Sequence, residues 1–456
     1  MNSDLSKIDP RQAWQPFVPD AKRPWNRALA AHLYRRAGFA ATWDQLTAAV
    51  KQEPAELVAQ LVRGPKTDEA FERQSRDLAE AMLATGNPQN LSAWWLHRMI
   101  GAPHPLLEKT TLFWHGHFAT SAAKVTDPRL MLAQHELLRQ HALGKFGPLV
   151  QAVSRDPAML IYLDSTTNRK VRPNENYARE LMELFCLGEG NYSEQDIKQI
   201  ARCFTGWEVR NGRFRFREFQ HDEGSKTFFG KTGNFGGQDA VRIVLDQPAA
   251  AEFIAGKLFR FFVCDEPAPP PALIDPLAEQ LRKNDFTTGP VIERILSSRL
   301  FFSGASVGRK IRSPVELSVG LLRALGGATN VYRLAEELAQ LGQAVFFPPN
   351  VKGWEGGRYW INTSTLLGRA NLVGRLVSGE ESKFAAGDLA QLAERCGATS
   401  PEEVVDWLLE LLVAVPIPRK AREPLVKLAR STGGAAGKPV GTVIHAMSLL
   451  PEFQLG

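Results

Sequence analysis

Residues 173–207 read PNENYARELMELFCLGEGNYSEQDIKQIARCFTGW, and this stretch decides the fold class. Asn174 is placed to cap a helix on which Tyr177, Ala178, Leu181, Leu184 and Phe185 share one face. Glu175 and Arg179 stand at i and i+4, a spacing that supports an exposed helical turn. Ser193 starts a second helix, with Asp196 three residues on as a near capping box. Helices are predicted over 173–187 and 193–206.

The same periodicity extends outward. Upstream, helices are predicted from Asn26, over Trp43–Val50, 54–63, 67–86, 90–100, His104–His115, 127–143 and 145–154. Downstream they resume at 238–246, 248–264, 274–284, 289–299 and 313–325, then after a cap at Thr363 or Ser364. Ser400-Pro401-Glu402-Glu403 supplies a cap, a first-turn proline and two acids that favour a helix start. Two stretches resist. Val209–Phe219 alternates arginine with phenylalanine, and 348–362, PPNVKGWEGGRYWIN, has too many prolines and glycines for a helix interior. Residues 432–438, TGGAAGK, break the pattern before a last helix. The expected fold is mainly α, a large multi-helix globule with a small β-hairpin or loop insertion near 208–237. An extended N-terminal arm (1–26), a helical main domain (27–375) and a helical C-terminal lobe (376–456) are expected.

Composition excludes several classes. With 456 residues, 44% apolar and 23% charged, the chain can bury a sizeable core. A net charge of +6 is modest for this length and argues against a nucleic-acid partner. Basic residues gather locally at Arg169/Lys170/Arg172, Arg309/Lys310/Arg312 and Arg419/Lys420/Arg422, as solvated faces or as contacts to an anion. Cys186, Cys203, Cys264 and Cys396 form no C-x-x-C pair, so neither a disulfide scaffold nor a structural zinc motif is expected. No stretch approaches the roughly 18 apolar residues of a membrane span. The N-terminus has no apolar signal region, so the cytoplasm is the expected compartment.

Four constellations carry candidate chemistry. Glu108 shares a helix face with His115, and His117 joins them if the helix ends at Gly116; the three offer oxygen and nitrogen ligands to a metal. Histidines near a helix C-terminus are also simply favoured by the macrodipole. Glu175, Arg179, Glu180 and Glu183 crowd one helix, fit for acid–base work or for a solvated face. His221-Asp222 reads as a metal-ligating pair or an oriented base. Gly224–Thr232, GSKTFFGKT, is no P-loop, because five residues separate its glycines where four are needed, although its backbone could hold an anion. Trp354 and Trp360 could stack on a sugar ring or lie buried under helices.

Leu33–Phe39 (LYRRAGF), Phe113–Ser121 (FWHGHFATS), Asn174–Leu184, Phe204–Trp207 (FTGW) and Pro348–Trp354 (PPNVKGW) resemble the domain of unknown function 1800 family of bacterial proteins. The resemblance runs from about residue 25 to Pro451–Gln454. It implies no particular reaction. It marks the histidine, Asn-Glu-Asn and Lys-Gly-Trp segments as family signatures. It also implies a frequent neighbour with a sulfatase-like or phosphatase-like fold and a twin-arginine export signal. Many members of the family carry an export signal of their own, from which this chain departs.

Two functional expectations follow. One is a metal-dependent, hydrolase-like enzyme acting on an anionic or glycan substrate between helices. Its zinc, iron or manganese would sit on Glu108, His115, His117, His221 and Asp222. Glu175 or Glu180 would be the base, Arg179 and Lys226 would hold the anion, and Trp207, Lys352, Trp354 and Asn362 would line the site. The other is a non-catalytic scaffold that partners the sulfatase-like neighbour, staying in the cytoplasm or leaving folded with a twin-arginine-bearing partner.

Overall fold

Helix after helix begins on the cap its own sequence supplies. Thr42, Ser193, Ser313, Asp388 and Ser400 each close a capping box with the residue three positions on. The computed structural model describes residues 5–378, 380–431 and 438–456. Most of the 432–438 break therefore lies outside the described residues, and the last helix is Lys438–Ser448.

The fold is mainly α, with only small antiparallel two-stranded sheets among the described residues. The insertion is two successive hairpins. Trp207–Arg210 pairs with Arg213–Phe216, and Lys226–Phe228 pairs with Lys231–Gly233. The GSKTFFGKT segment is thus a tight hairpin followed by no phosphate-cradling helix turn at Lys231.

Three local details depart from the sequence reading. Asn362, not Thr363 or Ser364, caps the helix Thr363–Val377. A helix at Val331–Gln340 was not expected; Asn330 caps it and Leu334 and Leu338 bury its inner face. The helix after Asn174 is α only over Asn176–Glu180 and widens to a π-turn over Leu181–Cys186.

One hydrophobic cluster runs from Leu5 to Phe453. The N-terminal segment feeds it rather than lying across the surface. It forms a short helix, Pro10–Ala13, then buries Trp14 and Phe17, whose apolar area outweighs the cost of ordering an arm. Trp14 Nε1 donates to Leu273 O at 2.8 Å, and Phe17 packs on Phe302. The C-terminal helices are joined to the same body. Lys438–Ser448 packs on Thr363–Val377, and Arg35 donates to the carbonyls of Leu411 and Val413.

The helix Pro105–His117 lies at the centre, packed by 27–37, 54–63, 89–101 and 128–141. No helix among the described residues is long and apolar enough to cross a membrane.

Candidate functional site

His115 and His117 face different neighbours, because the helix continues through Gly116 to His117. Phe346 N–H donates to His115 Nε2 at 3.1 Å, so the proton sits on Nδ1. His117 Nε2 lies 3.0 Å from Phe185 O and donates to it. That carbonyl belongs to the last turn of its helix, where no helical N–H is left to reach it. Burial pushes both imidazoles down to about 3, so both are neutral, with Lys257 adding to the effect at His117.

The histidines therefore tie three signatures into one assembly. The loop carrying Lys352-Gly353-Trp354 docks on the helix end through two glycines. Gly353 has φ +78°, and a Cβ there would lie 2.3 Å from Gly116 O. Trp354 packs beside the His115 ring at 5.6 Å.

Glu108 points elsewhere, into a closed ionic network. It accepts from Trp95 Nε1 (3.0 Å), Arg98 Nε (3.1 Å) and Arg139 Nε (3.0 Å). Glu72 accepts from the same two arginines. His221 and Asp222 also separate. His221 Nδ1 lies 2.9 Å from Thr205 O, while Asp222 takes a bidentate bond from Arg202. The five proposed metal ligands thus bond to five different sets of protein partners rather than to one another. Among the described residues no three His, Cys, Asp or Glu side chains are grouped to hold a metal ion.

Several anion- and substrate-binding candidates have structural partners too. Lys226 is fully buried and donates to Asp222 O and to Asn234 Oδ1. Trp207 is buried between Phe204 and Phe214 under Arg155. Asn362 is the helix cap already described. Arg179 forks onto Glu194, with Glu175 at 3.4 Å. Glu180 differs. Burial and the charge of Glu183 raise its pKa, opposed by Arg179 and Lys352.

A cavity of about 670 Å³ lies between the end of the central helix, the helix Pro248–Phe262, residues 310–316 and the Trp354 loop. Phe113, Phe253, Phe261 and Trp354 give it aromatic walls, and Lys352 reaches its lining. His117 lines it as well, and its Nδ1 has no partner.

One side of the cavity is built from buried ions. Lys310 donates to the Asp265 carboxylate and Lys109 to that of Glu316. Burial alone would raise Glu316, but Lys109 and Lys310 hold it down at about 2. Arg36 lies close enough to feel both carboxylates. Of the Arg309/Lys310/Arg312 cluster only Arg309 is exposed: Lys310 and Arg312 are buried, the latter with its guanidinium over the Phe453 ring.

Sequence reasoning missed Lys257. It lines the cavity, and its ammonium lies 5.0 Å from the Phe253 ring centre. Burial lowers its pKa, and the neighbouring Arg260 lowers it further. No carboxylate among the described residues is placed to pair with it. A signal existed in the spacing: Phe253, Gly256, Lys257 and Arg260 fall on one helix face, which puts two cations on an aromatic stripe.

Neither curated proteins nor solved structures give a match to the chain. The sequence model of one family, described as protein of unknown function (DUF1800), matches residues 32–455, and the chain belongs to that family.

Proposed function

We propose that the chain binds a small anionic ligand with a ring or other apolar body in the cavity beside His117. The observation that carries this reading is Lys257, a partly buried ammonium without a carboxylate, set on an aromatic wall. An isolated buried charge is costly, and a ligand anion would offset that cost. Phe253, Phe261 and Trp354 would take the ring of the ligand.

The finer reading is hydrolytic. Glu180, raised by burial and close enough to feel Lys352, which lines the cavity, is the group suited to donate a proton.

Thermal unfolding with phenyl phosphate and phenyl sulfate tests binding, and the nitrophenyl esters test turnover. A ligand at 100 times its Kd adds about 2.7 kcal/mol of stability. Lys257→Met should abolish the shift, and Glu180→Gln should remove turnover while leaving the shift. If no aryl anion raises the melting temperature, or if Lys257→Met keeps the full shift, the cavity is not this ligand's site.

A further inference from the structure

The first hairpin carries a surface that neither the cavity nor the core accounts for. Its register puts Trp207, Phe216, Val209 and Phe214 on one face, which buries Trp207 against the body but leaves Phe216 exposed at the strand end. The other face holds Glu208, Arg210, Arg213 and Arg215, with Arg217 following.

Glu208 is the centre of that face, and it is outnumbered. Arg217 approaches it at 3.0 Å, Arg169 at 3.7 Å and Arg215 at 3.9 Å. Arg169 comes from the neighbouring turn 169–172, which is held to the hairpin side by Lys170 N–H donating to Gln220 O. Lys170 and Arg172 of that turn add further exposed charge. Arg210, Arg213 and Arg215 line a shallow groove at the hairpin turn. Glu218 and Glu223 are the other exposed acids close by, too few to neutralise the patch.

Apolar side chains protrude among these cations. Val171 is 85% exposed, Phe219 61% and Phe216 46%. Burying such groups is favourable, so apolar side chains standing beside a basic surface suit a partner that is both anionic and apolar. A lipid surface has that composition: phosphates at the level of the guanidinium groups, acyl chains beneath for Val171 and Phe219.

A single-stranded nucleic acid fits less well. Bases stack on free ring faces. Here the Arg217 guanidinium already lies 5.1 Å over the Phe219 ring, and His221 packs against Phe216. Val171, the most exposed of the three, has no π-face at all.

We propose that the turn 169–172 and the hairpin 207–219 dock this protein peripherally on an anionic phospholipid surface. Val171 and Phe219 enter the interface, and the arginines hold lipid phosphates.

Co-sedimentation of the full chain with phosphatidylcholine vesicles, with and without phosphatidylglycerol, tests this. Binding is expected only with phosphatidylglycerol and should weaken with salt. Arg213→Gln and Arg172→Gln should each lower partitioning about fivefold. The double change Val171→Ser with Phe219→Ser should weaken binding without altering the melting temperature, since both side chains stand in solvent. Three results would overturn the proposal. One is no binding to either vesicle. Another is equal binding to both. The third is anionic binding that survives the double serine change while heparin or single-stranded DNA competes equally, which marks a general polyanion surface.

Discussion

Two buried ionic clusters lie around the one central helix, built from adjacent residues, and they are finished differently. At Glu108 the charges balance: two carboxylates, Glu72 and Glu108, share two guanidiniums, Arg98 and Arg139. At Lys109 they do not. Arg36, Lys109 and Lys310 meet only Asp265 and Glu316, and Lys257 stands beyond with no acid. The balanced cluster has no need of a ligand. Both border a pocket, but only the cation-rich one carries a surplus, and that surplus is the physical argument for an anion there. Burial and charge in themselves do not mark a site; an unpaired remainder next to open space does.

The largest expected effect lies on the balanced side. Glu108→Ala strands two arginines, one of them almost fully buried, and should cost about 3–5 kcal/mol in denaturant unfolding. A loss below about 1 kcal/mol would mean the network is not the closed structural unit described.

Gly353→Ala comes next. The new methyl would press on Gly116 O from a left-handed backbone, at a cost of about 3 kcal/mol. It should also weaken aryl-anion binding, since Trp354 moves with the loop. Unchanged binding in this variant would detach the loop from the cavity.

Another buried acid sharpens the contrast by having no cation at all. Asp156 accepts only from Gln134 and the backbone of its own helix turn, and burial raises it to about 7. Its folded pKa lies above its unfolded one, so stability falls as pH rises between those values. Between pH 5 and 8 the loss from this group should be about 2 kcal/mol, and Asp156→Asn should flatten it. Melting curves at both pH values decide; equal slopes in both proteins would remove Asp156 as the source.

Lys257→Met should change stability least, by less than about 1 kcal/mol or even favourably, because it removes an unpaired charge from an aromatic wall. If it is as damaging as Glu108→Ala, Lys257 has a protein partner and the comparison fails.

Much of the fold was legible because its signals are local. Ser193 and Ser400 announce their helices within three residues, and the Arg–Phe alternation announces the hairpin. The site was less so. Glu108, His115 and His117 read as ligands because sequence gives spacing but not the identity of a distant partner. Arg98 is ten residues from Glu108, but Phe185 and Phe346 are far along the chain from the histidines they meet. Asn362 was singled out, but as a contact rather than the cap it is. Lys257 carried no motif; only its place on an aromatic stripe distinguishes it.

The bond from Phe346 N–H to His115 joins residues 231 positions apart. Protein synthesis runs in one direction, at about 5–20 residues per second, so the helix end waits roughly 10–45 seconds for the loop that covers it. During that interval His115, Gly116 and the aromatic side chains around them face water or whatever binds nascent chains. The last wall of the cavity is thus also among the late arrivals of translation, and a ribosome paused before Phe346 would display an unfinished, adhesive surface.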